Sequence, residues 1–401
     1  MKISLIQPGR NNLKYLKWSY DSIRKNQGNH EVEICVADDA STDGTWDWCL
    51  EMMDKDPLFK ALKWDGPKRV GHTILYDRLV NEVATNDICM IYHADMYLMP
   101  GAIDSIEKHL TDKTIVSLTR IEPPLHPDGP EKILKDFGVE PEEFKEDDLL
   151  EWFTKPVDSA GGYQPKHNGP TEGIFAPWAF YKKDFQEIGG HDPLYAPQSK
   201  EDSDIFNRFQ LNGIKFIQTW EGCVYHMTCR GSRRNTVDKA KNIYEDSPEW
   251  LEQNQRSTRN FIRKWGHFVK HDALMKPIIP PKYDIGFIVK NCNDQLLSIL
   301  EPWCSNLYSD YPYEDYIAGE EANTSYNLFD RLKPYDNKKN NEILVTIDGN
   351  KFTQQDFNYI QQLSEILADS GEPAFHGELG NITVEIFEQM NTYEKDLICI
   401  S

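Results

Sequence analysis

Asp38 and Asp39 sit inside Val36-Ala-Asp-Asp-Ala-Ser-Thr-Asp-Gly-Thr45, a turn that packs carboxylates and hydroxyls between a strand and a helix. Ligands of open α/β sheets bind beyond the carboxyl ends of the strands. Both aspartates are therefore placed to meet one, and Asp39 to accept a hydrogen bond from a nucleobase or ribose. The other reading is that the pair only caps the following helix. A second acidic turn, His93-Ala94-Asp95, follows the apolar run Ile88–Tyr92. Two strands ending in Asp at one sheet edge make a crevice lined with carboxylates. Cys229-Arg-Gly-Ser-Arg-Arg234 offers Arg230, Arg233 and Arg234, whose planar guanidinium groups suit phosphate; a solvated basic loop is the alternative. Trp152, Tyr163 and Trp178 have rings able to stack on a sugar, against the commoner core role of aromatic residues.

The elements that must carry these residues follow from periodicity. Val32, Ile34 and Val36 mark a strand ending at Asp38, and Leu58–Lys63 a short one. Leu13, Leu16, Tyr20 and Ile23 recur at helical spacing, as do the apolar residues of Gly71–Ala84. Pro100-Gly101 opens a helix over Ala102–Leu110, and Thr114–Thr119 reads as a strand. Residues 122–171 are loop-rich, with Ser159–Pro170 the candidate acceptor wall or lid. Glu201–Leu211 reads as a helix with acidic residues at its amino end. Lys276-Pro-Ile-Ile-Pro-Pro281 marks a domain boundary. Beyond it, Tyr283–Lys290, Glu342–Asp348 and Leu397–Ser401 read as strands and Gln354–Leu367 as a helix.

From Ile3 to about Gly266, the order of motifs resembles the family 2 glycosyltransferases, inverting enzymes of the GT-A fold that use nucleotide-sugar donors. Ile3-Ser-Leu-Ile-Gln-Pro-Gly-Arg-Asn11 resembles the family's first strand and nucleoside turn, which implies nucleotide contacts for Pro8, Arg10 and Asn11. Asp39 matches its nucleoside-binding Asp, beside Asp38, and Asp95 the last Asp of its Asp-x-Asp metal motif; Ala94 lies between, and His93 replaces the first Asp. Phe185-Gln-Glu-Ile-Gly-Gly-His-Asp192 resembles its Gly-Gly-x-Asp turn, which puts Gly190 and Asp192, with Trp178, on the acceptor side. Glu201-Asp202 resembles the Glu-Asp motif that supplies the base, and Val224-Tyr-His226 its late metal-binding histidine. The helix after Gly71 begins beside the nucleotide in the family, which brings in Arg78; a surface ion pair explains that residue equally.

The implied fold is α/β: a Rossmann-like, mostly parallel GT-A sheet flanked by helices, plus a small C-terminal α/β domain. The implied domains are 1–276 (nucleotide half 1–121, acceptor and catalytic half 122–235, helical tail 236–276) and 282–401. The implied reaction moves a sugar from a nucleotide diphosphate, read as UDP, to an acceptor hydroxyl. Asp202 is the base beside Glu201, and Mn2+ or Mg2+ is held by Asp95 and His226. Mixed carboxylate and imidazole ligation suits Mn2+ better than Mg2+.

The 401 residues carry a formal net charge of −21, which argues against nucleic acid or an anionic membrane as the main partner. The eight cysteines include no Cys-x-x-Cys pair, which fits a reducing compartment and disfavours a zinc site. No apolar run reaches membrane-spanning length; the reading is a cytoplasmic protein. The acceptor, whether glycan, lipid-linked or protein, carries no motif, and the C-terminal domain is read as a possible oligomer or partner contact. Two rival readings stay open. One is a sugar-nucleotide-binding protein of the same fold without turnover. The other, a sugar nucleotidyltransferase, is poorly matched by Gln7-Pro-Gly-Arg-Asn-Asn12.

Overall fold

The computed structural model describes residues 1–156, 161–228, 246–370, 376–387 and 390–400, and the chain divides into two compact units. Unit one comprises residues 1–251, 271–277 and 400–401. Its strands are β1 (Lys2–Gly9), β2 (Glu31–Asp38), β3 (Phe59–Lys63), β4 (Ile88–Ile91), β5 (Met96–Leu98), β6 (Thr114–Glu122), β7 (Lys132–Leu134), β8 (Trp178–Tyr181) and β9 (Lys215–His226). They form one sheet in the order β3-β2-β1-β4-β8-β6-β9-β5, with β7 beside β6. The first four strands are mutually parallel, and β8 and β5 run antiparallel to their neighbours. Its helices are α1 (Leu13–Asn26), α2 (Thr45–Lys55), α3 (His72–Arg78), α4 (Ala102–His109), α5 (Glu146–Thr154), α6 (Lys182–Glu187) and α7 (Glu201–Leu211), followed by α8 (Pro248–Trp265), which continues into unit two.

Continuous apolar runs make the central strands: β2 is buried from Val32 onward and β6 along its whole length. Leu16 and Ile23 of α1, Cys49 of α2 and Ile103 and Ile106 of α4 pack onto them. The helix expected over Gly71–Ala84 is α3 followed by one π-turn, Leu79–Val83. Near the amino ends of β1–β4, Glu33 accepts from the hydroxyls of Ser4 (2.5 Å) and Thr85 (2.7 Å) and pairs with Lys60 (2.5 Å). Burial opposes its charge, but these donors hold its carboxyl at about 2.

At the opposite ends the parallel register delivers the loops together. Gly9 pairs with Asp38, and the Asp39 N–H donates to the Gly9 carbonyl at 2.9 Å. The strand expected to stop at Thr119 runs on to Glu122, and β9 passes beside it with Ile121 opposite Tyr225. Glu122 and His226 are the next residues in that register.

Unit two comprises residues 252–270 and 278–399. Its strands are β10 (Ile285–Lys290), β11 (Asn306–Ser309), β12 (Leu332–Pro334), β13 (Ile343–Asp348), β14 (His376–Leu379) and β15 (Ile382–Ile386), in the order β12-β11-β10-β13-β15-β14. Helices α9 (Asp294–Leu300), α10 (Glu314–Glu320), α11 (Leu328–Arg331), α12 (Gln354–Gln361) and α13 (Leu363–Ser370) accompany them. The predicted helix Gln354–Leu367 is thus two helices. Leu397–Ile400 is not a strand; a short 3-10 turn ends at Leu397 and the Ile400 N–H donates to Ile188. At the centre of unit two, the fully buried Glu301 carboxylate is held by Arg263 (2.7 Å) and by Arg331.

Candidate active site

A cleft of about 450 Å3 opens at the carboxyl ends of the unit-one strands. On one side the loops after β1 and β2 are stitched together: Asn11 N–H donates to Ser41 Oγ (2.9 Å), and Asn11 Oδ1 accepts from Thr42 N–H (2.7 Å). Asp39 lines the cleft, and its two carboxylate oxygens accept the N–H groups of Val70 (2.8 Å) and Gly71 (3.0 Å). Each oxygen has capacity left for a ligand donor. Pro8, Arg10 and Ala94 also face the cleft. Arg69 joins them; its Nε is buried without a protein partner among the described residues, and burial, offset in part by Asp39, lowers its proton affinity.

The middle of the cleft brings together three groups that could hold a metal ion. His93, Asp95 and His226 each offer one ligand atom, all within 4.8 Å of one another. His226 Nε2 lies 3.4 Å from Asp95 Oδ1, and its Nδ1 lies 2.7 Å from Glu122 Oε1. Glu122 is 1 % exposed and braced by Arg120 (3.2 Å) and Lys132 (3.1 Å). The carboxylate on Nδ1 fixes the ring with Nε2 facing Asp95, as the outer partner of a metal-ligating histidine does. Burial works against the charged ring, yet Asp95 and Glu122 lift His226 to about 9, so a cation at Nε2 displaces a proton. Burial pulls His93 down to about 4, leaving a neutral imidazole ready to ligate. Two imidazoles and a carboxylate suit a divalent transition-metal cation, Mn2+ among them, better than Mg2+. His93, a departure from the Asp-x-Asp pattern, thus enters as a donor.

The far wall is the first turn of α7. Glu201 and Asp202 both line the cleft. Burial, with the charge of Glu201 next, pushes Asp202 up to about 6, near the range a general base needs at neutral pH. Glu201 is opposed by burial but held ionised by His72, whose Nε2 lies 2.7 Å from its Oε1. Asp204 is wholly buried and bound to Arg208 Nε at 2.7 Å, which removes it as an alternative base.

Several expected residues lie elsewhere. Asp38 is wholly buried and accepts from Ser41 N–H at 3.2 Å. The Asn11 carboxamide oxygen is engaged by Thr42. Arg78 is paired with Glu82 at 2.7 Å, one turn along the chain. Trp178 is 0 % exposed and packs against Phe180, Phe206 and Phe209, so it is a core residue and no acceptor platform. Trp152 and Tyr163 are buried too; among the described residues the tryptophan on the cleft is Trp250, which lies in the segment read from sequence as a helical tail. Asp192 accepts from Leu194 N–H at 2.9 Å to cap a short turn, and Gly190 is buried. At Gly190 a Cβ would meet Asp77 Oδ2 at 2.1 Å, and Asp77 itself holds His191 Nδ1 at 2.7 Å. Arg230, Arg233 and Arg234 lie outside the described residues.

Gly71 has φ +86°, and a Cβ there would meet the Pro197 carbonyl oxygen at 2.1 Å. Gly71→Ala is expected to destabilise the fold by about 1–3 kcal/mol, from strain and the displaced backbone, and to separate α3 from the turn entering α7. Urea unfolding beside donor-binding calorimetry checks both effects.

Residues 4–175 match the family model described as Glycosyl transferase family 2. Among solved structures, the chain is similar to mannosyltransferase PcManGT from Pyrobaculum calidifontis in complex with GDP-Man and Mn2+. There the identity is 16% and the TM-score 0.38, over 56% of this chain and 56% of that one. It is also similar to GalNAc-T7 with UDP, GalNAc and Mn2+, at 14% identity and TM-score 0.43 over 65% and 48% of the two chains. S. aureus TarS 1-349 in complex with UDP-GlcNAc matches at 14% identity and TM-score 0.37, over 64% and 70%. The chain thus spans about half the length of the first two. No curated protein sequence matches the chain. None of the described helices is long and apolar enough to cross a membrane.

Proposed function

We propose, on the premise that residues 4–175 form a glycosyl transferase family 2 domain, that the protein is a metal-dependent inverting glycosyltransferase with a nucleotide-diphosphate sugar, UDP-linked, as donor. The observation that supports it most is the sharing of one cleft by three kinds of group: the Asp39 and Arg69 wall, the His93–Asp95–His226 donor set, and a carboxyl at about 6 on Asp202.

In this reading the nucleoside lies against Pro8, Arg10 and Asp39, and the diphosphate near His93, Asp95 and His226. His93, Asp95 and His226 would hold a divalent cation, Mn2+ or Mg2+, which when bound would offset charge on the diphosphate. Arg230, Arg233 and Arg234 remain candidates for the same anion. Asp202 takes the proton of the acceptor hydroxyl. That oxygen bonds to the anomeric carbon on the face opposite the bond to the diphosphate, which breaks and carries its electron pair away. Configuration inverts. Trp250, on the cleft, borders the acceptor side, for a glycan, lipid-linked or protein hydroxyl. The seven described cysteines are free, in keeping with a cytoplasmic setting. The C-terminal domain proposed over residues 282–401, of which 282–399 fall in unit two, is assigned oligomer or partner contact.

The test is nucleotide release from UDP-, GDP- and dTDP-sugars with Mn2+, Mg2+ or EDTA. Slow release from one donor, lost in EDTA, is expected. Release unchanged in EDTA rejects the metal role. Donor binding without turnover under every condition points instead to a sugar-nucleotide-binding protein.

A further inference from the structure

The first turn of α3 and the turn that enters α7 are locked together. Gly71 leaves room for Pro197, and Thr73 donates to the Pro197 carbonyl from its hydroxyl (3.2 Å) and its N–H (3.5 Å). Just beyond, Ser199 and Lys200 both take left-handed backbone, with φ +81° and +70°. Two successive non-glycine residues in that region are costly, and such strain persists where the surroundings enforce it. Between the two segments, His72 Nε2 lies 2.7 Å from Glu201 Oε1. The Glu201 side chain is 7 % exposed, and its other oxygen has no protein partner among the described residues. His72 is therefore the group that holds this carboxylate in place.

We propose that His72 is a positioning residue for the reaction: by holding and neutralising Glu201, it fixes the first turn of α7 and leaves Asp202 as the carboxylate free to accept the acceptor proton. This rests on the reading of Asp202 as the base. Facing His72 are Glu201 and Asp202 from α7, Arg69 from the preceding loop, His93 from the turn after β4 and Tyr76 one turn along its own helix. Asp202 further feels His191 and Arg120. Among these, His72 is the cation bonded to the neighbour whose charge raises Asp202. Without it, Glu201 becomes an unpaired buried charge next to the base, and Asp202 holds its proton to higher pH. A base works only when deprotonated, so the acid limb of the rate profile moves upward.

Histidine-selective NMR on the full chain tests the pairing without any donor. His72, assigned by its loss in His72→Gln, is expected to titrate above the ordinary histidine value and to fall when Glu201→Gln removes its partner. A titration indifferent to Glu201→Gln overturns the proposal. The second measurement is kcat/KM against pH, using the sugar nucleotide that shows metal-dependent release. His72→Gln, which keeps an N–H donor but no charge, is expected to move the acid limb up by about one unit. That is about a fivefold loss at pH 6 that approaches tenfold at pH 5 and closes at pH 8, with donor KM unchanged. His72→Ala, lacking the donor as well, loses activity at every pH. An unmoved limb in His72→Gln, with Asp202→Asn inactive, overturns the positioning role. Turnover surviving in Asp202→Asn instead overturns the choice of base and leaves the NMR result standing.

Discussion

Asp202→Asn is expected to lower kcat by about 10²–10⁴-fold, the range that general-base catalysis contributes, while the dissociation constant for the donor changes by less than about threefold. The substitution keeps the shape of the side chain and its place in the first turn of α7 but cannot take up a proton. Its effect therefore falls on the step in which the acceptor oxygen is deprotonated. The wild-type acid limb should centre at about 6, because burial and then Glu201 raise this carboxyl. The sign is fixed: activity is full above that value and is lost as pH falls through it. Asp202→Asn should flatten the limb as well as lower the plateau. Stopped assays across pH 5 to 8, paired with calorimetric titration of the donor, read both quantities. A variant that keeps its rate with the limb intact assigns the base to another group, of which Glu201, already engaged by His72, is the nearest.

The second large effect concerns the cation. Asp95→Ala removes the one carboxylate from a set otherwise made of two imidazoles. It is expected to weaken Mn2+ binding by more than about 100-fold and to bring nucleotide release down to the level seen in EDTA. Outer partners of metal ligands are typically worth 10–100-fold in affinity, so Glu122→Gln, which acts through His226 Nδ1, should fall between wild type and Asp95→Ala. Mn2+ titration by calorimetry gives the ranking with no donor present. Equal affinity in wild type and Asp95→Ala would place the cation elsewhere.

The residues that sequence reading could place are those whose role is announced locally. Asp39 and Asp95 follow strand-length apolar runs, and Glu201-Asp202 opens an acidic helix; pattern alone puts each at the edge where the cleft forms. What escaped depends on partners remote in the chain. Glu122 matters because β9 runs beside it and delivers His226, and β6 had been expected to end three residues earlier. His72 meets Glu201 129 residues away. His93 was read only as a replacement for the first Asp of the motif, since residue type departs from the pattern while ligating capacity does not. Ring chemistry says nothing of burial, so Trp178 and Trp250 exchanged roles. Arg78 was the avoidable case, because Glu82 four residues on offers a helical ion pair in plain view.

The sheet of unit one has charged groups at both ends, and they are about 20 Å apart along a strand, six residues from Glu33 to Asp39. At the amino ends Glu33 ties β1, β3 and the approach to β4 to β2. At the carboxyl ends Asp39, Asp95 and Asp202 line the cleft. Substitutions so far apart act nearly additively. Donor or acceptor preference can therefore drift through changes around the cleft while the Glu33 knot stays as it is, and gains of stability made at the knot leave the chemistry untouched. One end of the sheet is free to evolve because the other has no part in the reaction.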